Sequence, residues 1–351
     1  EFSLQRPFTT IATRWAWGVE GMVQEQDDRW AVERGDRQRL SAVTSREELS
    51  GEDIYLLSDR STLPVATLRE IYSDSLSLRF SHAAGDDRFK SYIRFSWDRW
   101  TREKPNRIDT TFFALPVATG ENENDTLFGI GSFPQKWWSR RDSRIGARHT
   151  LRSFRYKRVQ NLRNVRWTED LELGWSIYNG VSRNFRQLGA DRDEWRLEHN
   201  FWLQEEWNHR LFFMLDVGAH YYLHNTIQDG WLGATTDLTI QKMGGRFSTN
   251  LKGNFQSYFA DGGTRQLRLG GGYGLDGFPV DWMVGRSTIT TSFEERWKPD
   301  FELGTVVPLL AAFVRSGGAW SGIDRINLRE MESAAGVGMR FGLSKSVKGV
   351  V

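Results

Sequence analysis

The sequence contains no cysteine. Disulfide scaffolds, thiolate metal sites and thiol nucleophiles are therefore excluded, and the absence suits an oxidising compartment where stray thiols are a liability. No run approaches ~18 consecutive apolar residues, so a helical membrane span is excluded as well. A dominant charge sign is also missing. Lys and Arg number 47 against 45 Asp and Glu, a net charge of +2, which argues against a dedicated nucleic-acid binder. No signal-peptide pattern stands at Glu1, so the sequence reads as a mature chain or an excised piece. No interdomain linker is visible, and residues 1–351 are read as one domain.

What is present points elsewhere. There are 16 Trp and 22 Phe, yet hydrophobic residues make up only 39%. Glycine reaches 34 while proline is 8. Aromatic, glycine-rich and polar overall is the composition of a membrane β-barrel, with an apolar outer face and a wet inner one.

The strand period supports this. Ile11, Thr13, Trp15, Trp17, Val19, Gly21 and Val23 alternate with Ala12, Arg14, Ala16, Gly18, Glu20, Met22 and Gln24. The same two-residue rhythm runs through Leu76–Phe80, Ile93–Trp97, Leu171–Ile177, Trp195–Leu203, Leu211–Tyr221, Phe247–Phe255 and Val337–Leu343. Leu171, Leu173, Trp175 and Ile177 fall on one face, while Trp202 and Phe212 fall on the polar side of their strands. The second faces carry Arg, Glu, Asp, Asn and Lys, which a soluble sandwich would not place inside. Apolar outside in lipid and polar inside around water is the simplest solution; sheets with one solvated face, as in a soluble β-helix or propeller, are the alternative. The expected fold is all-β: a transmembrane antiparallel barrel of about 16 strands, at ~22 residues per strand and connection. Polar stretches at 33–53, 120–125 and 179–193 are expected to be connections, the long ones extracellular and the short ones periplasmic.

Four blocks near the end carry more. They are Leu269-Gly-Gly-Gly-Tyr-Gly-Leu-Asp-Gly-Phe-Pro279, Thr291-Ser-Phe-Glu-Glu-Arg-Trp297, Leu309 to Trp320, and Ala335 to Leu343. Together they resemble the C-terminal barrel of the BamA/TamA surface-antigen superfamily: its inward-folded loop six, the following Glu-x-Arg-aromatic strand, its Phe-Val-Asp-x-Gly-x-x-Trp strand, and its penultimate strand. The resemblance implies a Gly-rich loop-six motif at Gly270, Gly271, Gly272, Gly274, Leu275, Asp276, Gly277, Phe278 and Pro279. It implies a barrel-wall partner built from Phe313, Arg315, Gly317, Glu294 and Arg296. Glycines there permit positive φ and close backbone approach; an ordinary Gly-rich hairpin is the plainer reading. Two signs are reversed. The family usually has Arg where this chain has Asp276, and Asp where it has Arg315. A swapped pair, Asp276 on the loop against Arg315 on the wall, would keep the attraction; two unrelated solvated residues are the alternative.

The remaining signals are weaker. His220 and His224 lie four apart, on one face if the strand continues, without a third ligand nearby. No Gly-x-Ser-x-Gly elbow or Walker loop occurs. Glu205-Glu206 and Glu294-Glu295 are adjacent pairs that face opposite sides of a strand and cannot form a dyad alone. No enzyme activity, metal or cofactor is expected. The basic run Arg140, Arg141, Arg144, Arg148, Arg152, Arg155, Lys157, Arg158, Arg163 and Arg166 reads as a solvated wall balanced by acids elsewhere, with lipopolysaccharide phosphates or an anionic solute as the alternative ligand. Trp97, Trp100, Trp137, Trp138, Trp202, Trp207, Trp282 and Trp297 read as interfacial girdle residues, with a sugar-binding slide as the alternative. The chain opens inside an apparent strand and closes on Val350-Val351 without a terminal aromatic, so parts of the first and last strands are expected to be trimmed. No POTRA domain is visible. The resemblance implies a Gram-negative outer-membrane protein that assembles or translocates polypeptides through a lateral seam or the lumen. Its expected partners are outer-membrane lipid and lipopolysaccharide, an unfolded or secreted polypeptide, and periplasmic partners of missing upstream domains; nucleic acid is not among them. A passive solute channel, or an anchor and export pore for a domain fused upstream, are the competing readings.

Overall fold

A computed structural model of the chain describes residues 2–6, 14–31, 65–86, 88–102, 107–110, 140–160, 162, 168–260, 265–271, 274–279, 282–299, 301 and 306–343. The strands are β1 (Phe2–Arg6), β2 (Trp15–Ala31), β3 (Val65–Gly85), β4 (Phe89–Arg102), β5 (Arg107–Thr110), β6 (Arg140–Gln160), β7 (Thr168–Asn184), β8 (Glu194–Trp207), β9 (Leu211–His224), β10 (Thr226–Lys242), β11 (Phe247–Phe259), β12 (Leu267–Leu269), β13 (Met283–Gly285), β14 (Ser287–Trp297), β15 (Val306–Trp320) and β16 (Glu332–Leu343). One antiparallel sheet of 14 strands runs in chain order from β1 to β16, with β5 pairing β3 beyond the end of β4, and β12–β13 forming a separate hairpin. Among the described residues β1 bonds only to β2 and β16 only to β15, so both keep a free edge. Among the described residues no helix is long and apolar enough to cross a membrane.

Among the described residues thirteen strands lie in sequence along the sheet. Strands such as β3 and β6 run to 21 residues, longer than the ~9–11 a tilted span needs. Likewise β7 continues to Asn184, which leaves only 185–193 of the expected 179–193 connection. The stretches 33–53 and 120–125, with Trp137, Trp138, Arg163 and Arg166, lie outside the described residues.

Alternation separates the two faces as a barrel requires. Phe80, Ile93, Phe95, Ile145, Phe293 and Val314 are exposed on the outer face. The opposite face is polar and internally bonded: Ser77 donates to Asp98 at 2.5 Å, Asn254 to Thr235 at 2.9 Å, and Thr239 to Asn250 at 3.0 Å. One rim carries tight turns, including Asn208-His209 with φ of 54° and 53°, the paired left-handed conformation that two-residue hairpins favour. The other carries the connections 185–193, 260–286 and 321–331.

One strand breaks the rule. Gly174 has φ +128°, and a Cβ there would sit 2.1 Å from the Ser153 carbonyl oxygen. Pairing of β7 with β8 stops at Gly174↔Gln204, whereas β6 and β7 stay paired out to Gln160↔Thr168. Beyond the bend Leu171 and Leu173 do not join Ile177 on the outer face. They are buried with Val159, Leu162 and Phe212. The odd position of Phe212 on a polar face is thereby explained: it is the lumen side of an apolar cluster.

Candidate functional site

The β11–β14 connection folds back onto the wall. Leu269 closes β12, and Gly270 follows at φ +116° with the Pro279 carbonyl oxygen 2.1 Å from where a Cβ would be. Any side chain at 270 would strike backbone, so glycine is required. The Gly271 amide donates to the Phe278 carbonyl at 2.8 Å and closes the loop. Leu275 is fully buried, packed with Leu269, Met283 and Ala319 and flanked by Phe278 and Trp282. Gly277, at φ +96°, lies over Ala334 of β16, its would-be Cβ 3.2 Å from the alanine methyl. Gly272 is outside the described residues.

Asp276 at the tip ion-pairs with Arg315 of β15. Arg315 stacks over the Phe313 ring at 4.7 Å and lies 3.9 Å from Glu294 of β14. Glu294, 4% exposed, also binds Arg296 and, at 3.1 Å, Arg340 of β16. The charges thus alternate from loop to wall: Asp276, Arg315, Glu294, then Arg296 and Arg340. An arginine at 276 would face a guanidinium instead of a carboxylate. Gly317 admits Leu269, whose Cδ1 is 3.3 Å from the would-be Cβ, and Gly336 admits the Phe313 ring. The structure therefore brings Asp276, Phe313, Arg315, Gly317, Glu294 and Arg296 to one place, with Gly270, Gly271, Gly274 and Gly277 shaping the loop that reaches it.

Several contributors were not anticipated. Trp282, expected in the membrane girdle, instead donates from Nε1 to Glu332 of β16 at 2.5 Å, because it sits within the docked loop. Arg286 donates to the Ser321 carbonyl at 2.6 Å. Gly285 meets the Trp320 backbone. Glu332, Arg340 and Gly336 lie on β16, 17 or more residues from Arg315 in sequence, and no spacing links them to the loop. Trp202 is likewise no girdle residue; it stays on the polar face of β8 between Ser176 and Asp216. Trp207 stacks on Phe213 and Trp297 on Phe247 at the tight-turn rim.

From Arg140 to Arg158 the basic run is paired with acids. Arg140 binds Asp142, Glu194 and Asp229; Arg141 binds Asp191; Arg144 lies near Asp98 and Asp142. Arg148 pairs with Glu198, Arg152 with Glu172, Arg155 with Glu205, Lys157 with Glu206 and Arg158 with Asp170. Arg148 reaches across β7 to Glu198 because Gly180 leaves the path open. His220 stacks on Trp231, and His224 bonds the Asp193 carbonyl instead. Among the described residues no group of three or more His, Asp or Glu could hold a metal.

The chain is similar to two solved barrels over nearly its whole length. BamA from Haemophilus ducreyi lacking POTRA domains 1–3 superposes with a TM-score of 0.38 at 9% identity, covering 97% of this chain and 69% of that one. CdiB from Acinetobacter baumannii superposes with a TM-score of 0.34 at 11% identity, covering 94% of this chain and 51% of that one. The chain thus spans about two thirds of the first and half of the second. No family model matches the sequence, and no curated protein does. Likeness at this level transfers neither substrate nor mechanism.

Proposed function

We propose that the chain is the barrel of an outer-membrane protein that inserts or translocates polypeptides. The observation that carries this reading is the docked loop: a Gly-rich connection turned inward and fastened by charge and packing to β14, β15 and β16, the last of these paired on one side only among the described residues. A passive pore needs no such brace on its terminal strand. An unpaired edge exposes a row of N–H and C=O groups on which an incoming strand can be built. Loop six holds that edge in register while the substrate strand pairs, and no covalent chemistry is needed.

The test uses the full chain in lipid vesicles with a urea-unfolded outer-membrane barrel as substrate. The reading predicts faster substrate folding than in empty vesicles, lost when β1 and β16 are bridged covalently through introduced cysteines. Equal folding rates with and without the chain would overturn it. Steady ion conduction without any effect on substrate folding would favour the passive channel.

A further inference from the structure

The luminal face of a barrel should be wet and polar, yet Val159, Leu162, Leu171, Leu173 and Phe212 form a buried apolar cluster at the tight-turn end. Leu162 is the telling member. It lies in a connection between strands, where exposure is the rule, but is only 4% exposed. With Gln204, Met214, Thr239, Asn250 and Arg296, Leu162 lines one cavity of about 280 Å³, so it reaches side chains from five other strands. The Gln160 carbonyl accepts a 3.0 Å bond from Gln241 of β10, 81 residues away. Gln160 and Leu162 therefore lie over the inner face of the sheet, against residues of β8 to β11.

Two devices hold them there. At Gly174 the backbone takes a conformation that L side chains rarely adopt, and β7 parts from β8. Past the bend, Arg155 pairs with Glu205, and Lys157 with Glu206 at 2.6 Å. His209 shares Glu206 at 3.0 Å and lies 2.8 Å from Lys157. These contacts latch the hairpin to the end of β8.

We infer that Arg155–Gln160, Leu162 and Thr168–Leu173 form a plug, hinged at Gly174 and latched through Glu205 and Glu206, that closes the lumen at the tight-turn rim. The apolar cluster seals the mouth against water, and the ion-paired latch can be released without breaking the sheet, because ladder pairing of β6 with β4 ends at Ser153 and of β7 with β8 at Gly174.

The chain has no cysteine, so a single introduced thiol reports access. Thr239→Cys places one behind the plug, and Thr288→Cys places one near loop six. The full chain in lipid vesicles is treated with a membrane-impermeant maleimide. Leu162→Ala, Gly174→Ala and the paired Arg155→Ala/Lys157→Ala should each speed labelling of Thr239→Cys by about tenfold or more, since labelling tracks the opening equilibrium. Labelling of Thr288→Cys should stay unchanged. Heat-shifted gel mobility selects folded protein, and the latch variants, which remove only exposed or half-buried cations, fold even if the hinge variant does not. Unchanged labelling of Thr239→Cys in folded latch and Leu162→Ala variants would overturn the plug. So would equal acceleration at Thr288→Cys, which would mean general loosening.

Discussion

Reversing the charge at the loop tip should undock loop six. Asp276→Arg removes the pair with Arg315 and sets two guanidiniums against each other, with Arg340 also bound at the same Glu294. Asp276 is 51% exposed and Arg315 18%, so solvent screens the interaction strongly. Losing a partly exposed pair costs about 1 kcal/mol. A like-charge contact at ~4 Å adds about 1 kcal/mol in water and more in a lower dielectric. The docking equilibrium should then fall by about 2 kcal/mol, roughly thirtyfold. Undocking exposes Leu275, fully buried when docked, together with Trp282, which packs against the same cluster. Chymotrypsin cleavage of folded protein in vesicles reads this, because cleavage tracks the open population when closing is fast. Asp276→Arg combined with Arg315→Asp should recover most of the resistance. Recovery stays incomplete, because an aspartate at 315 also meets Glu294. A double variant cut as fast as the single one would refute the reasoning.

Other expectations follow from the same contacts. Leu275→Ala should weaken docking by about 2–4 kcal/mol through the cavity it leaves, read by the same cleavage assay. Gly336→Val should lower the thermal unfolding midpoint, since a Cβ there would lie 2.7 Å from the Phe313 ring and overpacking costs about 1–3 kcal/mol. In the β3–β4 turn, Asp86 accepts the Arg88 and Phe89 amides, which hold its carboxyl below the usual value of 3.8. A depressed folded pKa gives stability that is complete above the unfolded value and lost as pH falls through the folded one. The difference in unfolding midpoint between wild type and Asp86→Ala should therefore be full at neutral pH and vanish in strong acid.

Much of the architecture is legible in sequence because the strand period is two and the faces differ in polarity. Phe293 against Ser292, or Val314 against Arg315, shows the wall directly. The glycines of loop six are legible for a different reason: Gly270 and Gly277 are dictated by backbone approach and positive φ, which few residues satisfy. What failed was non-local. The bend at Gly174 depends on the Ser153 carbonyl of another strand, so nothing in Leu171 to Ile177 announces that two of its leucines turn inward. Trp282 has the composition of a girdle residue, and only its placement in the docked loop brings its indole to Glu332. Strand length, too, is set by pairing partners, so the 21 residues of β3 and of β6 could not be read from a typical span.

The account stands on the outer face of the sheet meeting lipid while the inner face meets water. Single cysteines carrying an environment-sensitive fluorophore at successive positions of β14, from Thr288 to Phe293, test this in vesicles containing a lipid-borne quencher. The account predicts strong quenching at Ile289, Thr291 and Phe293 and weak quenching at Thr288, Thr290 and Ser292, with a period of two. Uniform quenching, or none at the first set, would contradict it.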